Sequence, residues 1–146
     1  MGIDPYKSGM LQKSPYAGKI AVTGKIVAIL DFATDRRGLH LISQPSRAVK
    51  AGEVHELVMT DEAEAGPDKE VNDVAYLAFI EIRNAGVLLK GDTVEKNGQV
   101  IGELAGFDET HMPNHQNIVI RGPAKATGVQ LGLQLGDEII FRMTKG

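Results

Sequence analysis

Val71-Asn72-Asp73-Val74-Ala75-Tyr76-Leu77-Ala78-Phe79-Ile80-Glu81-Ile82-Arg83 is the stretch on which the fold class turns. Val71, Val74, Ala75, Ala78, Phe79 and Ile82 fall at i, i+3, i+4, i+7, i+8 and i+11, the spacing of an amphipathic helix, and Asp68 stands where it could cap one. The same stretch is apolar almost without a break from Val74 to Ile80, and Tyr76, Phe79, Ile80 and Ile82 favour strands. Periodicity does not separate a buried strand from a buried helix. The neighbours decide for a strand, because strands are expected on both sides and Asn84-Ala85-Gly86 reads as a short link.

Upstream, Ile20 to Leu30 is a β-branched run interrupted by Gly24, which suggests a bulge or bend there. Asp31 to Gly38 reads as a polar turn and Leu39 to Ser43 as a short strand. Glu53 to Thr60 alternates, with Val54, Glu56 and Val58 on one face and His55, Leu57 and Met59 on the other. Downstream, Asn97-Gly98 between two short strands predicts a type I′ hairpin, since both residues tolerate the positive φ that turn requires. Strands follow at Ile118 to Ile120 and Glu138 to Met143. Ala51-Gly52-Glu53, Lys90-Gly91-Asp92 and Leu135-Gly136-Asp137 each put glycine and an acid just before a strand. Glycine permits the corner and the carboxylate can accept nearby backbone N–H groups. Short strands joined by such corners predict an all-β protein, a small closed or partly open β-barrel with at most one short helix.

Composition narrows the function classes. The chain has 146 residues, which suits one domain. Surface scaling at this size buries roughly two thirds of the unfolded chain's surface, enough for a core without staples. With no cysteine, there is no disulfide scaffold, thiolate metal site, iron–sulfur cluster or cysteine nucleophile. A net charge of −3 gives no bulk attraction to nucleic acid or anionic membrane, and neither partner is expected. Residues 1–18 read as an irregular N-terminal arm and 19–146 as the barrel domain. The arm is either a tail or a strap over the domain or a neighbouring subunit, and arm exchange would make a homo-oligomer. No apolar run is long enough for a membrane span, and the first residues lack a secretory pattern, so a cytoplasmic location is expected.

Chemistry concentrates in Asp108-Glu109-Thr110-His111-Met112-Pro113-Asn114-His115-Gln116-Asn117. A small polar ligand could be read there by amide, imidazole and carboxylate groups of Asp108, Glu109, His111, Asn114, His115 and Asn117. A divalent metal is a second reading, because His111 and His115 have a His-x3-His spacing. Pro113 would break a helix carrying that pair, and further ligands would have to come from Asp108, Glu109, His55 or His40. A histidine phosphocarrier is a third, and an ordered loop satisfying its own backbone is the bland alternative. His40 and His55 read as packed or half-exposed strand residues. Asp35-Arg36-Arg37 reads as turn decoration, with a phosphate clamp as the alternative.

Phe79-Ile80-Glu81, Gly86-Val87-Leu88-Leu89-Lys90-Gly91-Asp92, the Asn-Gly hairpin, Asn114-His115-Gln116-Asn117-Ile118-Val119-Ile120 and Leu135-Gly136-Asp137-Glu138-Ile139-Ile140-Phe141 follow one another in order. Over Tyr76 to Met143 the chain thereby resembles the glucitol/sorbitol-specific enzyme IIA proteins of the sugar phosphotransferase system, which are small bacterial β-barrels. The resemblance implies a barrel fold and a link to carbohydrate transport. In that family a phosphorylated histidine precedes the first Gly-Asp corner; Glu81 stands there here, and a carboxylate does not replace that carrier. His115 matches a later histidine of the pattern. The resemblance thus carries the fold further than the phosphocarrier chemistry. The chain is also similar to uncharacterised small bacterial all-β domains. The favoured expectation is a non-enzymatic ligand-binding or accessory module, with a metal-dependent enzyme and a IIA-like phosphocarrier as alternatives.

Overall fold

A computed structural model describes residues 18–144. Apart from Gly18, the arm expected over 1–18 lies outside that range. The described residues contain eleven strands and no helix: β1 (Val22–Thr34), β2 (Leu39–His40), β3 (Ser46–Val49), β4 (Val54–Thr60), β5 (Glu70–Val71), β6 (Val74–Ile82), β7 (Gly86–Leu89), β8 (Thr93–Lys96), β9 (Gln99–Asp108), β10 (Asn117–Arg121) and β11 (Glu138–Arg142). None of the described residues therefore belongs to a helix long and apolar enough to cross a membrane. Seven strands close a barrel in the order β1-β11-β8-β9-β10-β4-β6, and β2-β5 and β3-β7 form two small annexes.

An odd ring cannot alternate strand direction all the way round, so at least one junction must be parallel. It is the seam between β4 and β10, where Asn117 pairs with Glu56 and Arg121 with Thr60. Every other junction of the ring is antiparallel. A parallel seam cannot be closed by a hairpin. It therefore brings together two strands far apart in the chain, together with the loops that enter them.

The decisive stretch is a strand, beginning at Val74; Val71 belongs to β5, paired with Leu39. Its helix-like spacing has a different cause. The β4–β6 register slips between Leu57 and Val58, leaving Leu77 as an extra residue on β6. Leu77, Ala78, Ile80 and Ile82 all join the interior core, whereas Tyr76 joins a second cluster on the outer wall. The bulge changes the parity of the strand, so Tyr76 and Phe79, three residues apart, share the outer face. Gly128 fills the opening beside the bulge: its N–H donates to the Tyr76 carbonyl at 3.1 Å, and the Val129 N–H donates to that of Leu30 at 3.3 Å.

Three expectations upstream are corrected. Strand β1 runs on to Thr34, so the polar turn is only Asp35 to Gly38. The strand expected over Leu39 to Ser43 is reduced to Leu39–His40. Gly24 pairs in register, and the irregularities fall later, between Ile26 and Ala28 and between Ile29 and Phe32. Gly24 instead allows close approach: a Cβ there would lie 3.3 Å from the Glu81 carbonyl oxygen.

The outer cluster of Leu39, Leu41, Val58, Val71, Val74, Tyr76, Ala105 and Val119 is covered by the β2-β5 annex. Both faces of β4 are therefore buried, and Glu56, on the same outer face as Val58, is only 8% exposed.

The Gly-acid corners share one geometry. The carbonyls of Lys50, Leu89 and Gln134 accept the N–H groups of Glu53, Asp92 and Asp137 at 3.2, 2.9 and 3.1 Å. The glycines between them have φ of 93°, 93° and 86°, as position i+2 of a type II turn requires. The carboxylates of Asp92 and Asp137 also accept the N–H groups of Leu89 and Gln134, at 3.0 and 2.8 Å. The Gln134 N–H is the main cause that holds Asp137 below the usual carboxylate range; burial opposes it, and the Asn97 amide and Lys96 add to it. A depressed folded pKa contributes stability that is present above the unfolded value and lost as pH falls through the folded one. Thermal melts of Asp137→Asn should therefore lie below the native protein near neutrality, with the gap closing as pH drops through and below ~4.

Candidate functional site

The loop entering β10 is pinned at both ends before it carries any chemistry. Asp108 accepts the His40 N–H at 3.1 Å, the Thr110 N–H at 2.9 Å and the Asn117 amide at 3.1 Å. At the other end the Gln116 N–H donates to His55 Nδ1 at 3.0 Å, and the Gln116 carbonyl accepts the Glu56 N–H at 3.0 Å. Between these anchors the chain makes a single turn. The His111 carbonyl accepts the N–H groups of Asn114 at 2.9 Å and His115 at 3.4 Å. One turn is enough to bring the two imidazoles together, with centroids 5.0 Å apart, although Pro113 excludes a regular helix.

The pair sits over the outer wall of the barrel at the parallel seam. Phe79, opposite Glu56 in the β4–β6 register, meets the His115 ring edge-on at 5.1 Å. His115 Nδ1 is 2.7 Å from Asn114 Oδ1. A carbonyl oxygen can only accept, so Nδ1 carries the proton and Nε2 presents its lone pair. That Nε2 is buried without a hydrogen-bond partner and faces Glu56 Oε1 at 3.8 Å. Ligand atoms of Glu56, His111 and His115 all lie within 4.8 Å of one another.

Burial dominates the electrostatics. It pushes the Glu56 carboxyl above the usual range, against the pull of the Arg37 guanidinium. It holds His115 below the ordinary imidazole value, and the charges of His111 and His55 act in the same direction. A neutral imidazole is the form that binds a metal. Tyr76 is raised by burial, opposed by the hydrogen bond that Arg37 Nε donates to its hydroxyl. A second N–H group of Arg37 approaches His111 Nε2 at 3.4 Å. Beside these groups, Leu30, Asp31, Phe32, Glu56 and Tyr76 line an open cavity of about 370 Å³. A larger opening of about 620 Å³ lies elsewhere, beside Asp61, Glu103 and Arg121. There Arg121 is already satisfied by Glu103 at 2.9 Å and the Ala63 carbonyl at 3.0 Å, and no ligand set converges among the described residues.

Only some of the residues singled out in the sequence come together. His111 and His115 converge, Asn114 orients His115, and Asp108 with Asn117 anchors the loop. Glu109 is directed away, to the Gln116 amide at 2.9 Å and Arg47 at 3.5 Å. His55 does not join the site. Its Nδ1 accepts from Gln116 and its Nε2 meets Glu53 at 2.9 Å, so both nitrogens are used. His40 is exposed, with Glu70 at 3.8 Å. Glu56 and Tyr76 are the members that sequence reasoning missed, whereas Arg37 is one of the residues read there as turn decoration, with an anion clamp as the alternative. The available signal for Glu56 was an acid alternating with Val54 and Val58 on one strand face.

A family model covers residues 16–142, the whole barrel and every residue of this cluster. The chain belongs to DUF6917, a family of unknown function. No curated protein and no solved structure matches it. The DUF6917 barrel agrees with the all-β class expected from the sequence. Glu81, at the position implied for a phosphorylated histidine, lies toward solvent and pairs with Arg83 at 2.8 Å.

Proposed function

We propose that this DUF6917 chain binds a divalent transition metal through Glu56, His111 and His115 and presents it to a small polar ligand in the adjoining cavity. The observation that carries this reading is the convergence of the three ligand atoms within 4.8 Å. Atoms bound to one metal at ~2.1 Å lie ~3–3.5 Å from one another, so a small contraction of the side chains completes the set. Three protein ligands leave a coordination position open, as in metal sites that act on a bound molecule rather than close around the ion for structure. Imidazole and carboxylate together suit zinc, manganese, iron, cobalt or nickel. Asn114 supplies the outer hydrogen bond that fixes the His115 tautomer. This reading joins the ligand module favoured from the sequence to the metal site that stood there as its alternative.

Elemental analysis of protein purified without chelating resin, followed by melting of metal-stripped protein with added zinc, manganese, cobalt or nickel, tests the proposal. Stabilisation of about 2–3 kcal/mol is expected with free metal near a hundredfold over its dissociation constant. Protein that purifies without metal and melts unchanged with every ion would refute it.

A further inference from the structure

We infer that the ligand of this site is a small organic carboxylate, clamped by Arg37 and lying against Phe32 and Tyr76; the inference rests on the metal reading above. The chain has six arginines. Arg36, Arg47, Arg83, Arg121 and Arg142 each have a carboxylate within 4 Å. Among the described residues Arg37 has none, although it is only half exposed and is held in place. Its N–H donates to the Asn72 carbonyl at 3.0 Å, the next residue's N–H donates to Asn72 Oδ1 at 3.0 Å, and its Nε donates to Tyr76. A second N–H group approaches His111 Nε2 at 3.4 Å, and a positioned guanidinium with its other N–H groups to spare and no carboxylate within 4 Å among the described residues is a binding group for an anion.

The surroundings select the class of anion. The cavity wall of Leu30, Phe32 and Tyr76 is apolar, and Phe32 is 59% exposed at its rim with its ring 5.6 Å from that of Tyr76. An exposed aromatic beside a cavity offers a surface for an apolar body. Glu56 and Asp31 line the same cavity and oppose a dianion more than a monoanion. One planar fork matches one carboxylate, whose other end can reach the open metal position beside His111. Because Glu56 repels an anion until a cation neutralises it, carboxylate binding depends on the metal.

The full chain loaded with cobalt(II), a spectroscopic stand-in for the metal, is titrated first with benzoate and separately with inorganic phosphate. Cobalt binding is established before either anion is added; its absence defeats the metal reading and this inference with it. Benzoate should perturb the visible cobalt spectrum saturably and bind more tightly than phosphate. At saturating cobalt, Arg37→Gln should weaken benzoate at least about 10-fold, and Arg37→Lys should fall between the two. If cobalt binds but benzoate leaves the spectrum unchanged, the carboxylate inference is overturned while the metal reading stands. It is overturned equally if benzoate binds Arg37→Gln as well as the native chain, or if phosphate binds more tightly.

Discussion

Gly128→Ala is expected to lower the stability of the barrel by more than about 3 kcal/mol, a fall in melting temperature of roughly 6–12 °C for a chain of this size. A Cβ at Gly128 would stand 1.9 Å from the Leu77 carbonyl oxygen and 3.0 Å from that of Leu30. Neither neighbour is the free end of a side chain. Both are backbone atoms of the strands that the glycine bridges, at the place where their pairing is interrupted. Moving them would break the hydrogen bonds from Gly128 and Val129 that satisfy the Tyr76 and Leu30 carbonyls. Gly132→Ala is the informative comparison. Gly132 has a φ of 71° and open space around its Cβ position, so alanine there meets only the backbone cost of about 1 kcal/mol. Equal melting temperatures for the two variants would show that the 127–129 segment does not plug the bulge as described.

His115→Ala should weaken metal binding more than about 100-fold, beyond the 10–100-fold typical of losing an outer-sphere partner. Glu56→Gln, which keeps the shape and removes the charge, should weaken it comparably. The discriminating readout is melting with and without metal. A structural role for His115 would lower the melting temperature of metal-free protein. A ligand role in addition removes the increment that metal adds, whatever the metal-free protein loses from the ring's contact with Phe79 and its hydrogen bond to Asn114. A metal increment that survives in both variants would sink the assignment of these ligands.

The parts of the fold legible in the sequence were those held by local covalent geometry. Asn97 and Gly98 have φ of 48° and 88°, and the corner glycines adopt the left-handed conformation read from their position before an acid. Those requirements act within three or four residues and leave their mark in residue type. The site was legible only in part for the same reason. His111 and His115 are joined by one turn, and their spacing showed it. Glu56 reaches them across the parallel seam, and Arg37 and Tyr76 come from a turn and a strand distant in sequence. No local pattern links these segments, so Arg37 read as turn decoration and Glu56 as one member of an alternating face.

By itself, the sequence determined that the chain is all-β, that its glycines build corners, and that without cysteine any metal site must draw on histidine and carboxylate. Tertiary structure alone decided which histidines converge and which carboxylate meets them. An odd number of strands forces a parallel seam, and the β6 bulge brings Tyr76 and Phe79 to the same outer face. Register and closure are properties of the whole ring, so the side of the wall on which a residue stands is set only when the barrel closes.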